Sequence, residues 1–331
     1  MLKDPVVDCT SSRQQLLALA GALPRLPRVD IYAFLEAAKE QADKLPEHIG
    51  RALDEFNVGG NQNGYLSLKG LPVEPDDELP PTPTTTPPPA DRELLNMEAM
   101  LAIVGRRLGL HTAYDQGYGN RRAREVLHEL YPTPDAHPLS GETSSTQLEY
   151  HSDLYHHALQ PQYIILSCSR GDHEGKAATL VGSIRNALPL LSDEVIERLF
   201  ERKFARPVGI SHGDRIEDSS SLAYVKPLYG DRDDPFLGFD RSVLRADEQA
   251  DKEALAELDS TLDSVAKAVR LGAGDLLIID NLRVAHARTP FEARWDGKDR
   301  WLHRAYVRTA INGQLTGGER AGDVVEFIAR R

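Results

Sequence analysis

Apolar residues recur at helical spacing along the first third of the chain. The pattern covers residues 12–56, with a break at the two prolines within 24–27, and a second amphipathic helix is predicted over 93–108. Between them, residues 58–73 place apolar side chains among glycines, which indicates a strand and turns. We therefore predict a helical N-terminal extension over about residues 1–56.

The second part of the chain changes to short apolar runs that are bounded by turn residues. Residues 113–155 indicate short strands with turns. The later predicted elements are strands at 163–168, 179–181, 274–281 and 301–311 and helices at 184–191, 194–204 and 247–269. Many short strands with helices inserted at one end favour a jelly roll or a barrel over a parallel α/β sheet.

Two stretches lack this periodicity. Residues 79–90 are rich in proline and threonine, a composition that favours an extended polyproline conformation. They form either a linker or a strap laid over one domain. We favour the strap, and one domain over residues 1–331, because neither flank resembles an independent domain. Residues 206–235 form a Gly-, Ser-, Asp- and Pro-rich loop, and its length makes it our candidate lid.

Composition narrows the classes of function. With 40% hydrophobic and 27% charged residues in a chain of 331, the balance is that of a globular protein. The net charge of -12 argues against non-specific nucleic-acid binding and weakly favours a cationic substrate. The two cysteines, Cys9 and Cys168, match neither a disulfide framework nor a zinc site. Because no signal-peptide or membrane-spanning pattern is present, we expect a cytoplasmic protein with no membrane partner.

The chemistry of the chain centres on His151 and Asp153, at the end of an apolar run that predicts a strand. Residues two apart on an extended backbone point the same way, so this pair can supply two ligands of a 2-His-1-carboxylate iron site. The same spacing recurs at His212 and Asp214. That second pair lies in a polar stretch typical of a loop, and we therefore favour the first.

Two arginines lie at the start of the last predicted strand, one just before it and one within it. Arg300 and Arg304 are four residues apart, which places them on the same side of a strand. If that side faces a barrel interior, two buried guanidiniums need anionic partners, and arginine binds carboxylates in a bidentate manner. The alternative is an exposed edge strand with solvated arginines.

These residues occur in an order that resembles a known family. The matching positions are Leu148–Asp153 (LEYHSD), Thr179, Gly274–Asn281 (GDLLIIDN), His286, Arg300 and Arg304. The pattern resembles the Fe(II)/2-oxoglutarate-dependent oxygenases, specifically the clavaminate synthase-like group of the taurine dioxygenase superfamily, with asparagine oxygenase and the arginine β-hydroxylases. The resemblance spans about residues 60–311 and implies a double-stranded β-helix, or jelly roll, flanked by α-helices.

The resemblance also implies a cofactor site. His151, Asp153 and His286 would bind Fe(II) as catalytic metal ligands. Arg300 would pair with the C5 carboxylate of 2-oxoglutarate, and Thr179 would donate its hydroxyl to the same carboxylate.

The implied substrate site is less sharply defined. Arg304 would hold the α-carboxylate of an amino-acid substrate, Asp240 would face its polar side chain, and Gln116 would lie near its backbone. For Asp240 and Gln116, ordinary turn and surface roles stay open. Amino-acid-hydroxylating relatives usually carry His-x-Glu, so the shorter Asp153 leaves the identity of the substrate open.

The implied activity is hydroxylation of an unactivated C–H bond of a free amino acid or a similar small molecule. O2 is the co-substrate, and 2-oxoglutarate is converted to succinate and CO2. Two alternatives remain at this point. The same site could catalyse desaturation, ring closure or oxidative cleavage, or the chain could be a non-enzymatic jelly-roll protein that binds a carboxylate or a zinc ion.

Overall fold

The computed structural model describes residues 5–85, 91–115, 124–134, 136, 142–201, 203–207, 222–310, 315 and 318–326. Within these residues the helices are α1 (Arg13–Gly21), α2 (Ile31–Ala42), α3 (Glu47–Gly59), α4 (Asn96–Leu108), α5 (Ile184–Ala187), α6 (Asp193–Leu199) and α7 (Gln249–Val265). The strands are β1 (Val6–Asp8), β2 (Tyr65–Lys69), β3 (Leu110–His111), β4 (Ala113–Asp115), β5 (His128–Leu130), β6 (Leu148–His151), β7 (Tyr163–Arg170), β8 (Ala178–Ser183), β9 (Phe204–Pro207), β10 (Leu222–Val225), β11 (Leu228–Tyr229), β12 (Phe236–Leu237), β13 (Lys267–Arg270), β14 (Leu276–Asp280), β15 (Val284–Arg288), β16 (Trp301–Arg308) and β17 (Val324–Glu326).

The larger sheet has the strand order β1-β2-β14-β7-β16-β3, and β5 also pairs with β16. Apart from the parallel pair β1–β2, its pairings are antiparallel. Strand β14 lies between β2 and β7 and is buried over its whole length, which explains its continuous apolar sequence.

The smaller sheet has the order β13-β8-β15-β6, and all of its pairings are antiparallel. It faces the larger sheet across a shared apolar layer. That layer contains Ile164 and Leu302 from the larger sheet and Val181 and Val284 from the smaller one. The inner faces of the two sheets therefore bury each other.

Helices cover the outer faces of both sheets. Helices α1 to α4 pack on the larger sheet, and α5 to α7 pack on the smaller one. The sequence therefore predicted correctly that the N-terminal region is helical and that helices flank strands, because each helix presents one apolar face. Among the described residues, no helix has both the length and the apolar character needed to cross a membrane.

Two predicted helices were too long, and two short strands were not predicted. The helix predicted over 247–269 ends at Val265, and Lys267–Arg270 forms β13, because its backbone pairs with β8. The helix predicted over 194–204 ends at Leu199, and Phe204 begins β9. Strands Val6–Asp8 and Val324–Glu326 were not predicted, since three residues are too short for a periodic pattern.

The predicted strap and lid are described in part. Of the strap, residues 79–85 lie against the segment before β16, where the Thr82 hydroxyl donates to the Asp299 carbonyl at 2.7 Å. Residues 86–90 lie outside the described residues. Of the candidate lid, Leu222–Val225 and Leu228–Tyr229 form β10 and β11, which pair with β9 and β12, so the prediction of a continuous loop over 206–235 was wrong there. Further along, Asp234 is anchored by Arg185 and Arg283. Residues 208–221 lie outside the described residues.

A cluster of buried charges joins the helical layer to the back of the larger sheet. Arg28 and Arg92 both contact the carboxylates of Glu98 and Glu129, which are fully buried. His303, which also lies at this cluster, donates or accepts a hydrogen bond with the Ser169 hydroxyl at 2.8 Å. Burial opposes ionisation of Glu98, but the positive groups around it lower its pKa below the ordinary value. The carboxylate is therefore charged near neutral pH.

We predict that Glu98→Gln lowers the free energy of unfolding by about 3 kcal/mol, because removing one member of a buried ionic group leaves its partners uncompensated. Glu93→Gln is the matched control, since Glu93 is 70% exposed in its pair with Arg25. It should cost less than about 1 kcal/mol. Urea unfolding of both variants measures the difference. Equal losses would contradict a structural role for the buried cluster.

Candidate metal centre and pocket

Two strands of the smaller sheet bring His151 and His286 together. His151 ends β6, and His286 lies directly opposite it on β15. Asp153 follows in the turn after β6. The three residues are 3%, 8% and 9% exposed for His151, His286 and Asp153, and their potential ligand atoms lie within 4.8 Å of one another. The pairing of β6 with β15 therefore brings His286 next to His151 and Asp153, although it lies more than 130 positions further along the chain.

The backbone fixes the orientation of His151. Its Nδ1 donates to the Glu149 carbonyl at 2.7 Å, because a carbonyl can only accept. Its Nε2 therefore points towards the Asp153 carboxylate, with Nε2 to Oδ1 at 3.3 Å. A hydrogen bond on one ring nitrogen that aims the other is the usual arrangement of a metal-binding histidine.

The electrostatics favour a charged carboxylate. Burial alone would raise the pKa of Asp153, but Arg304 and the two imidazoles hold it well below its ordinary value. Burial would likewise lower the pKa of His151, yet the contact with Asp153 raises it. A divalent cation would therefore meet a charged carboxylate, and its binding would release any proton from the imidazole ligands.

Two imidazoles and one carboxylate are the donor set of non-haem Fe(II) sites with open positions. The described residues contain two other groups of possible ligands. Glu98, Glu129 and His303 already surround two arginines, which repel a cation. His173, Asp296 and Asp299 form a group in which Asp296 is exposed. The first cluster therefore fits Fe(II) best.

Asn281 holds the turn that carries Asp153. Its Oδ1 accepts from the Asp153 backbone N–H at 2.8 Å, and its Nδ2 donates to the Asp153 carbonyl at 2.8 Å and to the Pro161 carbonyl at 3.0 Å. The next residue, Leu154, has a φ of 56°, a conformation that costs energy for a residue other than glycine. The side chain of Asn281 therefore links the connection before β15 to this strained turn.

The second oxygen of Asp153 also has donors. Oδ2 accepts from the Tyr306 hydroxyl at 2.9 Å and from Nη1 of Arg304 at 3.2 Å. Burial raises the pKa of Tyr306 well above its ordinary value, so the phenol keeps its proton. Arg304 is steadied from its other side by His128, whose Nδ1 lies 3.0 Å from Nη2.

A pocket of about 510 Å³ opens beside the cluster, between the two sheets. Apolar side chains from both sheets make up much of its wall. Its polar lining consists of His151, His286, Thr179, Arg288, Arg300 and Arg304. The structure thus places the two predicted metal-binding histidines and both arginines of the last strand region around one cavity.

Arg300 is buried in this pocket. It is 7% exposed, and it forms no ion pair within the part of the chain that the structure describes. Its guanidinium lies over the Phe291 ring at 5.6 Å. Burial lowers its pKa. A guanidinium in this position needs an anion from outside the chain.

Arg288 is a pocket residue that sequence reasoning missed. It lies two residues after His286 on β15 and donates to Thr143 Oγ1 at 2.9 Å and to the Thr146 carbonyl at 3.0 Å. Burial, and then repulsion from Arg300, lowers its pKa to about 10. The spacing of two on the strand was the available signal, because it puts Arg288 on the face that carries His286.

The remaining predicted residues divide into three cases. Thr179 lies opposite Arg288 in the pairing of β8 with β15, and it lines the pocket. Asp240 forms a backbone bridge with His151 and is buried, and its Oδ1 accepts from the Ser242 backbone N–H at 2.9 Å, which fits the turn role and not the surface role. Burial raises the pKa of Asp240, although His151 opposes the shift. Gln116 lies outside the described residues.

A buried His–Asp–His cluster, beside a pocket whose Arg300 has no ion pair among the described residues, fits the class of non-haem iron oxygenases that use an anionic co-substrate. The chain belongs to the taurine catabolism dioxygenase TauD, TfdA family, whose model matches residues 96–306. It is 56% identical to clavaminate synthase 2 from Streptomyces clavuligerus over 330 residues, which covers 100% of both chains. The resemblance seen in the sequence is confirmed.

Solved structures agree with this assignment. Asparagine oxygenase in complex with Fe(II), 2S,3S-3-hydroxyasparagine and succinate has a TM-score of 0.82 at 28% identity, covering 98% of this chain and 100% of the other. The non-heme iron oxygenase OrfP in complex with Fe and alpha-ketoglutaric acid has a TM-score of 0.78 at 26% identity, with 94% and 96% covered.

We predict that Asn281→Asp weakens divalent metal binding by about 10-fold or more, because a carboxylate oxygen replaces the donor that faces two carbonyls and the turn at Asp153 loses its support. Asn57→Asp is the matched control, since Asn57 also donates to a carbonyl, that of Leu108 at 3.0 Å, far along the chain from the cluster. Equilibrium dialysis with Fe(II) under anaerobic conditions measures both. Similar metal affinities in the two variants would contradict the role of Asn281.

Proposed function

We propose that this chain is an Fe(II)- and 2-oxoglutarate-dependent oxygenase that hydroxylates an unactivated C–H bond of a free amino acid or an amino-acid-like small molecule. The observation that carries the proposal is the buried cluster of His151, Asp153 and His286 beside the uncompensated Arg300 in one pocket. The related OrfP structure holds iron and alpha-ketoglutaric acid, and the asparagine oxygenase structure holds Fe(II) and succinate.

His151, Asp153 and His286 would hold the iron. The bound metal supplies oxygen activation at its open coordination positions. The chain supplies a buried, anionic carboxylate at Asp153 and two imidazoles whose strands are paired with each other. Apolar side chains such as Ile164 and Leu302 line the same pocket and limit the access of water to it.

Arg300 and Thr179 would bind the distal carboxylate of 2-oxoglutarate. The support is chemical: a guanidinium that is buried without an ion pair among the described residues requires an anion, and a threonine hydroxyl lines the same cavity. Arg288 adds a second positive charge nearby and fixes the segment around Thr143 and Thr146. A dicarboxylate fits a pocket that contains a candidate metal-binding site together with Arg288 and Arg300.

Arg304, Asp240 and Gln116 would bind the substrate. Arg304 lines the pocket, and its contacts to His128 and Asp153 use three of the five guanidinium N–H groups among the described residues. A substrate carboxylate can therefore share it. Asp240 is buried beside His151, where a negative charge suits a cationic substrate group.

We also infer the finer architecture. The two facing antiparallel sheets would form a double-stranded β-helix, or jelly roll, within one domain over residues 1–331 that carries the helical extension 1–56, the strap 79–90 and the lid 206–235. The contact between Thr82 and Asp299, next to Arg300, supports the strap. A cytoplasmic location stays a prediction.

A second candidate is the formation of clavaminate. The similarity to clavaminate synthase 2 extends over the full length of both chains at 56% identity, compared with 28% for the asparagine oxygenase structure. This second reaction would use the same pocket and cofactors, but it would have a different substrate and a different product. A purely binding role is not favoured, since the chain belongs to a dioxygenase family.

We predict substrate-dependent succinate release in the presence of Fe(II), O2 and 2-oxoglutarate. The panel contains free Arg, Lys and Asn, their cyclised derivatives, and the substrate of clavaminate synthase 2. His286→Ala should reduce release to background because one of three metal ligands is lost. His48→Ala, a change on α3, should leave it unchanged. Succinate formation by His286→Ala at the wild-type rate would refute the metal site, and the oxidised product separates hydroxylation from clavaminate formation.

We predict that Arg300→Gln raises the KM for 2-oxoglutarate by about 10- to 100-fold, because hydrogen bonds to a charged group contribute about 1.5–3 kcal/mol. Arg270→Gln, on the exposed side of β13, removes the same charge and should leave this KM unchanged. Initial rates at varied 2-oxoglutarate concentrations give both values. An unchanged KM in Arg300→Gln would mean that another group binds the co-substrate.

A further inference from the structure

The two oxygens of Asp153 have different partners. Oδ1 lies 3.3 Å from Nε2 of His151, so it is the oxygen that faces this candidate ligand atom. Oδ2 accepts from the Tyr306 hydroxyl and from Arg304. A carboxylate can bind a metal through one oxygen or through both. The donors on Oδ2 therefore decide which of these modes is available.

We propose that Tyr306 is a positioning residue whose hydroxyl occupies Oδ2, so that Asp153 presents Oδ1 alone to the metal. The inference rests on the proposed function, because it takes Asp153 as a ligand. With one oxygen engaged, the carboxylate fills one coordination position. The others stay open for the co-substrate and for O2.

The packing around Tyr306 fixes its side chain in this position. It lies two residues after Arg304 on β16, so both side chains project from the same face of the strand. Its ring is packed edge-on against Tyr114 and His128, with centroids at 5.6 and 5.4 Å. The residue is 6% exposed. A phenol fixed by two aromatic neighbours loses little further freedom when it donates to a carboxylate.

Arg304 cannot take over this task alone. It lines the pocket and is the proposed partner of the substrate carboxylate, so its guanidinium would be shared between Oδ2 and the substrate. Tyr306 is not among the residues that line the pocket. His128 shows how Arg304 is held: its Nε2 donates to the Glu125 carbonyl at 3.0 Å, which leaves Nδ1 to accept from the guanidinium. The hydroxyl of Tyr306 is therefore the donor that Oδ2 does not share with the substrate.

The test compares Tyr306→Phe with Tyr32→Phe in the full-length protein. Tyr32 donates its hydroxyl to an aspartate carboxylate too, that of Asp323 at 3.4 Å, so both variants lose the same kind of contact. Co(II) replaces Fe(II) as the probe, because its visible absorption spectrum reports coordination number. The readouts are the Kd for Co(II) and this spectrum, each with and without 2-oxoglutarate, and near-ultraviolet circular dichroism confirms that the aromatic packing is retained.

Tyr306→Phe should bind Co(II) about 10-fold more weakly, with a changed spectrum, because the loss of a group that orients a ligand typically costs this much. Tyr32→Phe should match the wild type in both. Wild-type Kd and spectrum in Tyr306→Phe, together with loss of binding in Asp153→Ala, would overturn the role of Tyr306 and leave the proposed function intact. Unchanged Co(II) binding in Asp153→Ala would overturn the metal site itself, and the inference with it.

Discussion

The charge on Asp153 is the feature on which the rest of the site depends. A buried carboxylate is unfavourable unless positive groups and hydrogen bonds compensate it. Here the compensation comes from His151, His286, Arg304 and Tyr306, which arrive from three separate strand regions. Each contact is positioned by the fold: β15 pairs with β6, and β16 presents Arg304 and Tyr306 from the opposite sheet.

The pocket as a whole carries excess positive charge. Three arginines and the two histidines line it, namely Arg288, Arg300, Arg304, His151 and His286. The nearby carboxylate of Asp153 is already paired within the candidate metal site. The chain has a net charge of -12, so this local excess is a property of the pocket and not of the surface. Burial lowers the pKa of Arg288 and Arg300, because desolvation disfavours the charged guanidinium. An anionic co-substrate bound beside them would offset that desolvation.

The sequence allowed the placement of residues whose position follows from strand geometry. His151 and Asp153 could be identified from their spacing of two, and Arg300 and Arg304 from their spacing of four. Residues whose function depends on contacts between distant strands could not be identified from the sequence. Asn281 lies within a motif that matched the family, yet only the folded chain shows its bonds to Asp153. Tyr306 looked like an ordinary aromatic residue of a strand until its hydroxyl was seen on Oδ2.

The same limit applies to the fold. Apolar periodicity identified the helices α1 to α4 and strand β14, because these elements bury one face or both. It missed β13, where Lys267–Arg270 continues directly from a helix and becomes a strand by pairing with β8. Pairing partners that lie far apart in sequence leave no periodic signal in the segment itself.

We propose that His151, Asp153 and His286 together bind one iron ion and that Arg300 binds a carboxylate of the co-substrate. The most direct test is an anomalous difference map, at the iron absorption edge, from anaerobic crystals grown with Fe(II) and 2-oxoglutarate. We predict a single strong peak in contact with those three side chains, with a carboxylate of 2-oxoglutarate against the Arg300 guanidinium. A peak at His173, Asp296 and Asp299, or an Arg300 side chain with no anion beside it, would contradict the account.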